Sequence, residues 1–138
     1  MITTTMIVAR QYLESHGIRP SQQRIAVMHY LLTHRTHPSV DEIYEGLKGE
    51  YSTLSKTTVY NTLKALSESG AVLTLNIAGT MANYDGYVSP HAHFLCTKCN
   101  KIYDVELAHT ELLGKKLPEG AKIDDIQLYY KGICGRCR

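Results

Sequence analysis

Apolar residues recur at helical spacing through most of the first half of the chain. Residues 7–16 predict a short helix, which Gly17 would end and Pro20 would keep from extending. Ser21 then predicts the N-cap of a second helix. The buried stripe of this second helix is predicted to comprise Ile25, Met28 and Leu32. The chain is therefore expected to begin with two helices joined by a short turn.

Two further helices have clearer start signals. Ser39 and Glu42 stand at capping-box spacing, and Ser55 predicts the N-cap of the next helix, which Gly70 would close. The apolar face of the third helix is predicted to comprise Val40, Ile43, Tyr44 and Leu47. The buried stripe of the fourth helix is predicted to comprise Val59, Leu63 and Leu66. Each helix thus has one face for a core and another for solvent or a ligand.

After Gly70 the pattern changes from helix to strand. Two strand-like runs, 71–77 and 81–85, are separated by Ala78-Gly79-Thr80. Helices followed by a two-stranded ribbon are typical of a winged helix, whose last helix enters the major groove of DNA while the hairpin lies along the backbone. The sequence therefore predicts a winged helix in the N-terminal part of the chain.

The rest of the chain predicts a small mixed unit of strands and one helix. Residues 101–106 and 123–130 are strand-like, 108–116 are helical, and Pro118-Glu-Gly120 predicts a turn. Such a core is too small to be stable without cross-links. A metal site would supply one, and a second copy of the chain could supply another by joining sheets. The predicted fold class is α+β.

The fourth helix carries a polar face opposite its buried stripe. Hydroxyl, amide, ammonium and phenol groups on this face can reach base edges and phosphates in a major groove. A solvated helix face is the ordinary alternative, and the net charge of +2 does not decide between them because neither half of the chain is a basic tail. With one arginine of the second helix, the candidate DNA contacts are Arg24, Lys56, Thr57, Tyr60, Asn61 and Lys64.

The chain has four cysteines, arranged as two C-x-x-C pairs with 34 residues between them. Four thiolates are the soft tetrahedral set that Zn²⁺ takes in structural sites. A redox site needs only one such pair, and two disulfides would need export. Because the sequence shows neither a membrane-spanning run nor a signal-peptide pattern, we expect a cytoplasmic protein. The predicted structural zinc ligands are Cys96, Cys99, Cys134 and Cys137.

Nitrogen and oxygen donors lie close to the first cysteine pair. His91 and His93 are two residues apart, so on a strand both rings would lie on one face. Asp85 precedes them, and Asp104 follows in the next strand-like run. Imidazoles with carboxylates suit Fe²⁺, Mn²⁺, Co²⁺ and Ni²⁺ as well as Zn²⁺, so the ligands alone do not select the ion. A solvated or buried imidazole is the usual role of an isolated histidine, but this cluster predicts a regulatory metal site.

A metalloenzyme is the alternative from another class, because the same donors could leave an open coordination position. Glu106 lies on the same strand face as Asp104 and is the one group available as an added general base, since every cysteine is assigned to zinc.

The combination of motifs resembles the ferric uptake regulator (Fur) family of bacterial metal-dependent repressors, and more closely its peroxide-sensing (PerR) branch. The resemblance extends over nearly the whole chain. It rests on Gln23-Arg24, His37-Pro-Ser-Val-Asp-Glu-Ile-Tyr44, Thr58-Val-Tyr60-Asn-Thr-Leu63, His91-x-His93-x-x-Cys96-x-x-Cys99 with Ile102-x-Asp104, and Gly132-Ile-Cys134-x-x-Cys137.

This resemblance implies a homodimeric repressor with a winged-helix domain in 1–84, a hinge in 85–92, and a dimerisation and zinc-binding domain in 93–138. Metal binding would fix the angle between the halves, so that the dimer fits adjacent half-sites of double-stranded operator DNA. His37, in the loop before the third helix, is assigned as a metal ligand on the resemblance alone. The regulatory Fe²⁺ or Mn²⁺ is assigned to His37, Asp85, His91, His93 and Asp104.

The resemblance also implies which signal is sensed. Asp85 and Asp104 match the peroxide sensors, whereas iron sensors of the family tend to carry Glu. In that branch peroxide reacts with bound Fe²⁺, oxygen is added to a ligand imidazole that maps onto His37 or His91, and repression is lifted, whereas the Mn²⁺ form resists. The alternative is a repressor whose corepressor is Fe²⁺. A further metal site of many relatives is expected to be absent, since the matching positions are Ala92 and Ile126.

Overall fold

The computed structural model describes residues 4–77, 79, 81–88, 91–106, 117–122 and 126–138. Contacts divide the chain into two units, Met1–Val88 and Ser89–Arg138. The first contains α1 (Thr4–Ser15), α2 (Gln22–Thr33), α3 (Val40–Leu47), α4 (Lys56–Glu68), β1 (Leu73–Leu75) and β2 (Asn83–Asp85). The second contains β3 (His91–Cys96), β4 (Ile102–Glu106) and β5 (Tyr129–Gly132). Within the described ranges, no helix has the length and apolarity that a bilayer crossing requires.

Helix α1 ends where the sequence predicts but begins earlier. Gly17 has a φ of +73° and donates its N–H to the Glu14 carbonyl, while Ile18 donates to the Leu13 carbonyl at 2.9 Å. This is the Schellman arrangement, which glycine favours because it has no Cβ. The start was predicted at residue 7, but the first turn is held by a hydrogen bond of 2.9 Å between Thr5 Oγ1 and His29 Nε2 of α2. A tertiary contact therefore extends the helix beyond its apolar pattern.

Helix α2 corrects one prediction. Its N-cap is Ser21, as predicted, but Ile25 and Leu32 are only partly buried and pack at the edge of the core. Because α1, α3 and α4 all contact α2, its buried arc is wider than the predicted stripe and is rotated by about one residue. The fully buried face comprises Ala26, Val27, Met28 and Leu31.

The capping predictions for α3 and α4 are confirmed. Ser39 Oγ accepts from the Glu42 N–H, and Glu42 Oε1 accepts from the Ser39 N–H, both at 3.3 Å. Ser55 Oγ accepts from the Thr58 N–H at 3.1 Å, and Gly70 follows α4 with a φ of +82°. The predicted apolar faces of both helices lie in or against the core, and the residues of the α4 stripe are fully buried.

The two strand-like runs that follow form an antiparallel ribbon, as predicted. Strands β1 and β2 pair with Leu73 opposite Asp85 and Leu75 opposite Asn83. Both strands are shorter than the predicted runs. Of the predicted connection, Ala78 and Thr80 lie outside the described residues. Helices α1 to α4 and the base of this ribbon share one apolar core, as a winged helix requires.

The second unit is built on a three-stranded sheet in the order β4-β3-β5. Strand β3 pairs antiparallel with β4 and parallel with β5. The predicted turn is present, with the Ala121 N–H donating to the Pro118 carbonyl at 3.1 Å. The predicted helix 108–116 lies outside the described residues, as do 123–125 of the predicted last strand. That strand is Tyr129–Gly132, because pairing with β3 and not local composition sets its ends.

Candidate metal centres and nucleic-acid interface

The four cysteines meet at one end of the three-stranded sheet. Strand β3 ends at Cys96, and a tight turn leads to Cys99 and to Asn100, whose φ is +64°. The four sulfur atoms all lie within 4.8 Å of one another, and Cys99 Sγ is 3.9 Å from Cys134 Sγ. Zn–S bonds of about 2.3 Å in a tetrahedron place the sulfurs about 3.8 Å apart. The cluster therefore fits a Zn²⁺ ion.

Backbone pairing brings the second cysteine pair to the first. Strand β5 runs beside β3, and the Thr97 N–H donates to the Gly132 carbonyl at 2.8 Å. Beyond it, the Cys137 N–H donates to the Cys134 carbonyl at 3.0 Å and closes the second turn. All four cysteines are free thiols, so each sulfur is available as a metal ligand.

Hydrogen bonds make two of these thiols unusually acidic. The backbone N–H groups of Cys134 and then of Cys99 donate to Cys96 Sγ and lower the pKa of Cys96 to about 6. A hydrogen bond from the Tyr103 hydroxyl lowers the pKa of Cys134, and this donation raises the pKa of Tyr103 to about 12. The pKa of Cys137 rises to about 12, chiefly because of its contact with Cys134. Thiolate is the form that binds metal, and the hydrogen bonds to Cys96 and Cys134 favour that form at these two sulfurs.

A second donor set lies on β3 and β4 of the same unit. His91 Nε2 is 3.2 Å and His93 Nε2 is 3.5 Å from one oxygen, Oδ1 of Asp104. The two ring centroids are 4.3 Å apart, which confirms that both imidazoles lie on one sheet face. The register pairs His93 with Asp104 across the strands. Bonds of about 2.1 Å to one ion allow neighbouring donors about 3 Å apart, so this set suits a divalent metal.

A third donor set lies wholly within the first unit. His37, in the loop before α3, has its Nε2 3.5 Å from Oδ2 of Asp85 at the end of β2, and both side chains are buried. The Tyr87 N–H donates to the other oxygen of Asp85 at 2.9 Å. The Asn83 side chain donates to the His37 carbonyl at 2.9 Å. Each unit thus carries donors of the type that the sequence assigns to the regulatory ion.

Two contributors to these sites had no signal in the sequence. Asn83 lies in an ordinary strand run, and its link to His37 exists only in the folded unit. Tyr103 is next to Asp104 on β4, so its side chain lies on the opposite face of the sheet. There its hydroxyl is hydrogen-bonded to Cys134. Its position in the strand follows from the period of two, but its partner depends on how the last cysteine pair folds back.

The predicted DNA-binding face of α4 is exposed. Tyr60 is 52% exposed, and the other α4 candidates are also on the surface. Lys56 Nζ lies 3.3 Å from Asp41 Oδ1, in an exposed ion pair that competes weakly with a phosphate. Arg24 on α2 donates to the Arg19 carbonyl at 2.9 Å and lines a shallow pocket with Asn61. The first unit therefore presents basic and amide groups on one helix and its neighbour.

Residues 15–131 match the model of the ferric uptake regulator family, which is most of the chain. The chain belongs to this family. It is 34% identical over 132 residues to the peroxide operon regulator of Bacillus subtilis, across 94% of this chain and 90% of that protein. Family membership confirms the predicted α+β fold and identifies a regulator, so the metalloenzyme alternative with Glu106 as base is rejected.

Two solved structures of Fur-family members are also similar. The ferric uptake regulator of Francisella tularensis with iron is 27% identical, with a TM-score of 0.72 over 88% of this chain and 95% of that chain. PerR from Streptococcus pyogenes, a protein of peroxide sensing and gene regulation, is 29% identical to this chain. Its TM-score is 0.54 over 100% of this chain and 96% of that chain. Both iron-associated and peroxide-sensing members of the family therefore resemble this chain.

Proposed function

We propose that the chain is a metal-dependent DNA-binding repressor that senses peroxide through oxidation of a ligand histidine. The observation that carries the proposal is the placing of two imidazoles against one short carboxylate, Asp104, within hydrogen-bonding range. The similarity to the peroxide operon regulator supports the same signal. Free thiols at all four cysteines favour action in the cytoplasm.

The metals follow from the donor types. The four thiols suit a structural Zn²⁺, whereas imidazole with carboxylate suits Fe²⁺ or Mn²⁺. We assign the donors of both units to one regulatory ion, because neither His37 with Asp85 nor the set around Asp104 provides by itself the number of ligands that such an ion takes. An ion with ligands from two units stabilises the arrangement in which all of them are in reach.

The chemical step oxidises one ligand ring by two electrons. An Fe²⁺ ion held by these donors would catalyse cleavage of the O–O bond of peroxide and would end as Fe²⁺, because the two electrons that reduce the peroxide come from the ring. One peroxide oxygen bonds to a ring carbon of His37 or His91 in place of a C–H hydrogen, and the other leaves as water. The added oxygen withdraws electron density from the ring nitrogens, so the histidine binds metal less well and the DNA-binding arrangement is lost.

The DNA-bound form is proposed to be a homodimer. Residues 1–84 form the winged-helix DNA-binding domain, 85–92 the hinge, and 93–138 the dimerisation and zinc-binding domain. In the dimer, two α4 helices enter adjacent major grooves of an operator. Basic side chains are assigned to phosphates and polar ones to base edges. The proposed contacts are Arg24, Lys56, Thr57, Tyr60, Asn61 and Lys64.

The test compares Fe²⁺-loaded with Mn²⁺-loaded protein after addition of peroxide. Peptide mass spectrometry is expected to find the mass of one added oxygen on His37 or His91 in the Fe²⁺ form, together with loss of operator binding in fluorescence anisotropy. The Mn²⁺ form should keep its DNA. His29, whose Nε2 is hydrogen-bonded to Thr5 and which belongs to neither donor set, is the internal control and should gain no oxygen. Unmodified His37 and His91 with retained DNA binding would reject the proposal.

A further inference from the structure

His37 has a backbone conformation that residues with a Cβ disfavour. Its φ is +59°, in the left-handed region, and of the described residues other than glycine only Asn100 shares a positive φ. A histidine in this region is strained unless its surroundings hold it there. Pro38 follows and further restricts the backbone of the residue before it. The loop before α3 therefore needs an external constraint.

Strand β2 supplies that constraint through two successive residues. Asn83 Nδ2 donates to the His37 carbonyl at 2.9 Å, and the Tyr84 N–H donates to the Pro38 carbonyl at 2.9 Å. Two neighbouring carbonyls of the loop are thus held by two neighbouring donors of the strand. The Tyr84 donor belongs to the backbone and is available with almost any side chain. The Asn83 donor depends on the residue type.

The amide of Asn83 is used in one direction only. The residue is 6% exposed, and its Oδ1 has no hydrogen-bond partner among the described residues. A buried polar atom without a partner is costly, and the hydrogen bond from Nδ2 to the His37 carbonyl offsets part of that cost. Within the described part of the chain, the one hydrogen bond that this amide makes is to the backbone of His37.

Asn83 and Asp85 act on the same histidine. They are two residues apart on β2 and lie on the same face of the strand. Asn83 holds the His37 backbone, while Asp85 Oδ2 lies 3.5 Å from His37 Nε2. The strand therefore fixes both ends of the residue, which sets where its ring can point.

We propose that Asn83 is a positioning residue of the regulatory metal site. By donating a hydrogen bond to the His37 carbonyl, Asn83 keeps His37 at positive φ and holds the imidazole ring beside Asp85. The ligand is therefore preorganised, and metal binding loses less conformational entropy. Without the amide, the backbone relaxes towards negative φ and the ring moves away from Asp85. This inference rests on the proposed function, since it needs His37 to be a ligand.

The test measures Mn²⁺ affinity of the zinc-loaded full-length protein, using metal-buffered titration followed by electron paramagnetic resonance. Asn83→Leu keeps the number and branching of the side-chain heavy atoms without a donor, and Asn83→Ala removes the amide altogether. Both are expected to weaken Mn²⁺ binding by roughly 10- to 100-fold, as loss of a group that orients a ligand does. Thr74→Ala is the matched control, because it removes the 2.6 Å hydrogen bond to Ser67 from the same ribbon without touching His37.

A purely structural role predicts a different pattern. It would lower the melting temperature of metal-free Asn83 and Thr74 variants alike while leaving Mn²⁺ affinity at the parent value, and that result overturns the inference. A crystal structure of metal-free Asn83→Ala provides a second readout, in which His37 is expected to leave positive φ; a retained positive φ also overturns it. If His37→Ala binds Mn²⁺ as the parent does, the proposed function fails instead.

Discussion

At the scale of single residues, Asp104 connects both strand histidines to one oxygen atom. Spacing predicted this set, because His91, His93 and Asp104 lie on strands whose period is two. The spacing did not find His37, since its partner Asp85 is on a distant strand and its positive φ depends on Asn83. Sequence patterns record local geometry, whereas this pair depends on how the ribbon packs against the loop.

Lengthening the carboxylate should separate metal binding from peroxide sensing. In Asp104→Glu the charge and both oxygens remain, but one added methylene moves them relative to the two rings. We expect Mn²⁺-dependent operator binding to survive, while the rate of oxygen addition by peroxide in the Fe²⁺ form falls by roughly tenfold. Anisotropy and peptide mass spectrometry measure the two effects. Asp104→Ala is the control and should lose both, whereas an unchanged oxidation rate in Asp104→Glu would contradict the assigned role.

At the scale of elements, start signals were predicted better than buried faces and strand ends. The N-caps Ser21, Ser39 and Ser55 are read from a few neighbouring residues, and all three bond as predicted. The buried face of α2 was shifted because three helices pack around it. The ends of strand β5 are set by its backbone pairing with β3. Local amino-acid composition does not predict where that pairing stops.

Removal of the α4 cap should weaken the helix that carries the DNA-binding face. Ser55→Ala leaves the Thr58 N–H without its acceptor at the first turn. We expect the free energy of unfolding of the first unit to fall by about 1 kcal/mol and operator affinity to fall with it. Urea titration followed by circular dichroism provides the measurement. Ser52→Ala, at an exposed position in the preceding turn, is the control; equal stability of the two variants would show that the cap is unimportant.

At the scale of the whole molecule, the two units carry different chemistry. The first holds an apolar core under a helix suited to DNA, and the second holds a thin sheet with all four cysteines. In the sequence the hydrophobic pattern changes from helical to strand-like after Gly70, which lies inside the first unit, so the pattern alone does not mark the boundary between the units. We expect the stability of the second unit to depend strongly on a zinc ion at these four cysteines, because so small a core needs a cross-link.

Loss of one thiol should accordingly unfold the second unit alone. Cys96 accepts two backbone N–H bonds and sits at the end of β3, so Cys96→Ser is expected to reduce bound zinc from about one ion per chain to near none. Limited proteolysis should then cut beyond Val88 while the first unit resists. Thr97→Val is the control, because it removes only a 3.2 Å bond to the Gly132 carbonyl. Full zinc content in Cys96→Ser would contradict the assignment.

The parallel pairing of β3 with β5 has a consequence for how the protein matures. These neighbours in the sheet are separated by a long stretch of chain, so a newly made polypeptide must close a large loop before its last strand can dock, and that search is entropically slow. Zinc binding by the thiols at the strand ends would stabilise the closed loop. We therefore expect a chain synthesised without zinc to complete its second unit more slowly than one synthesised with zinc.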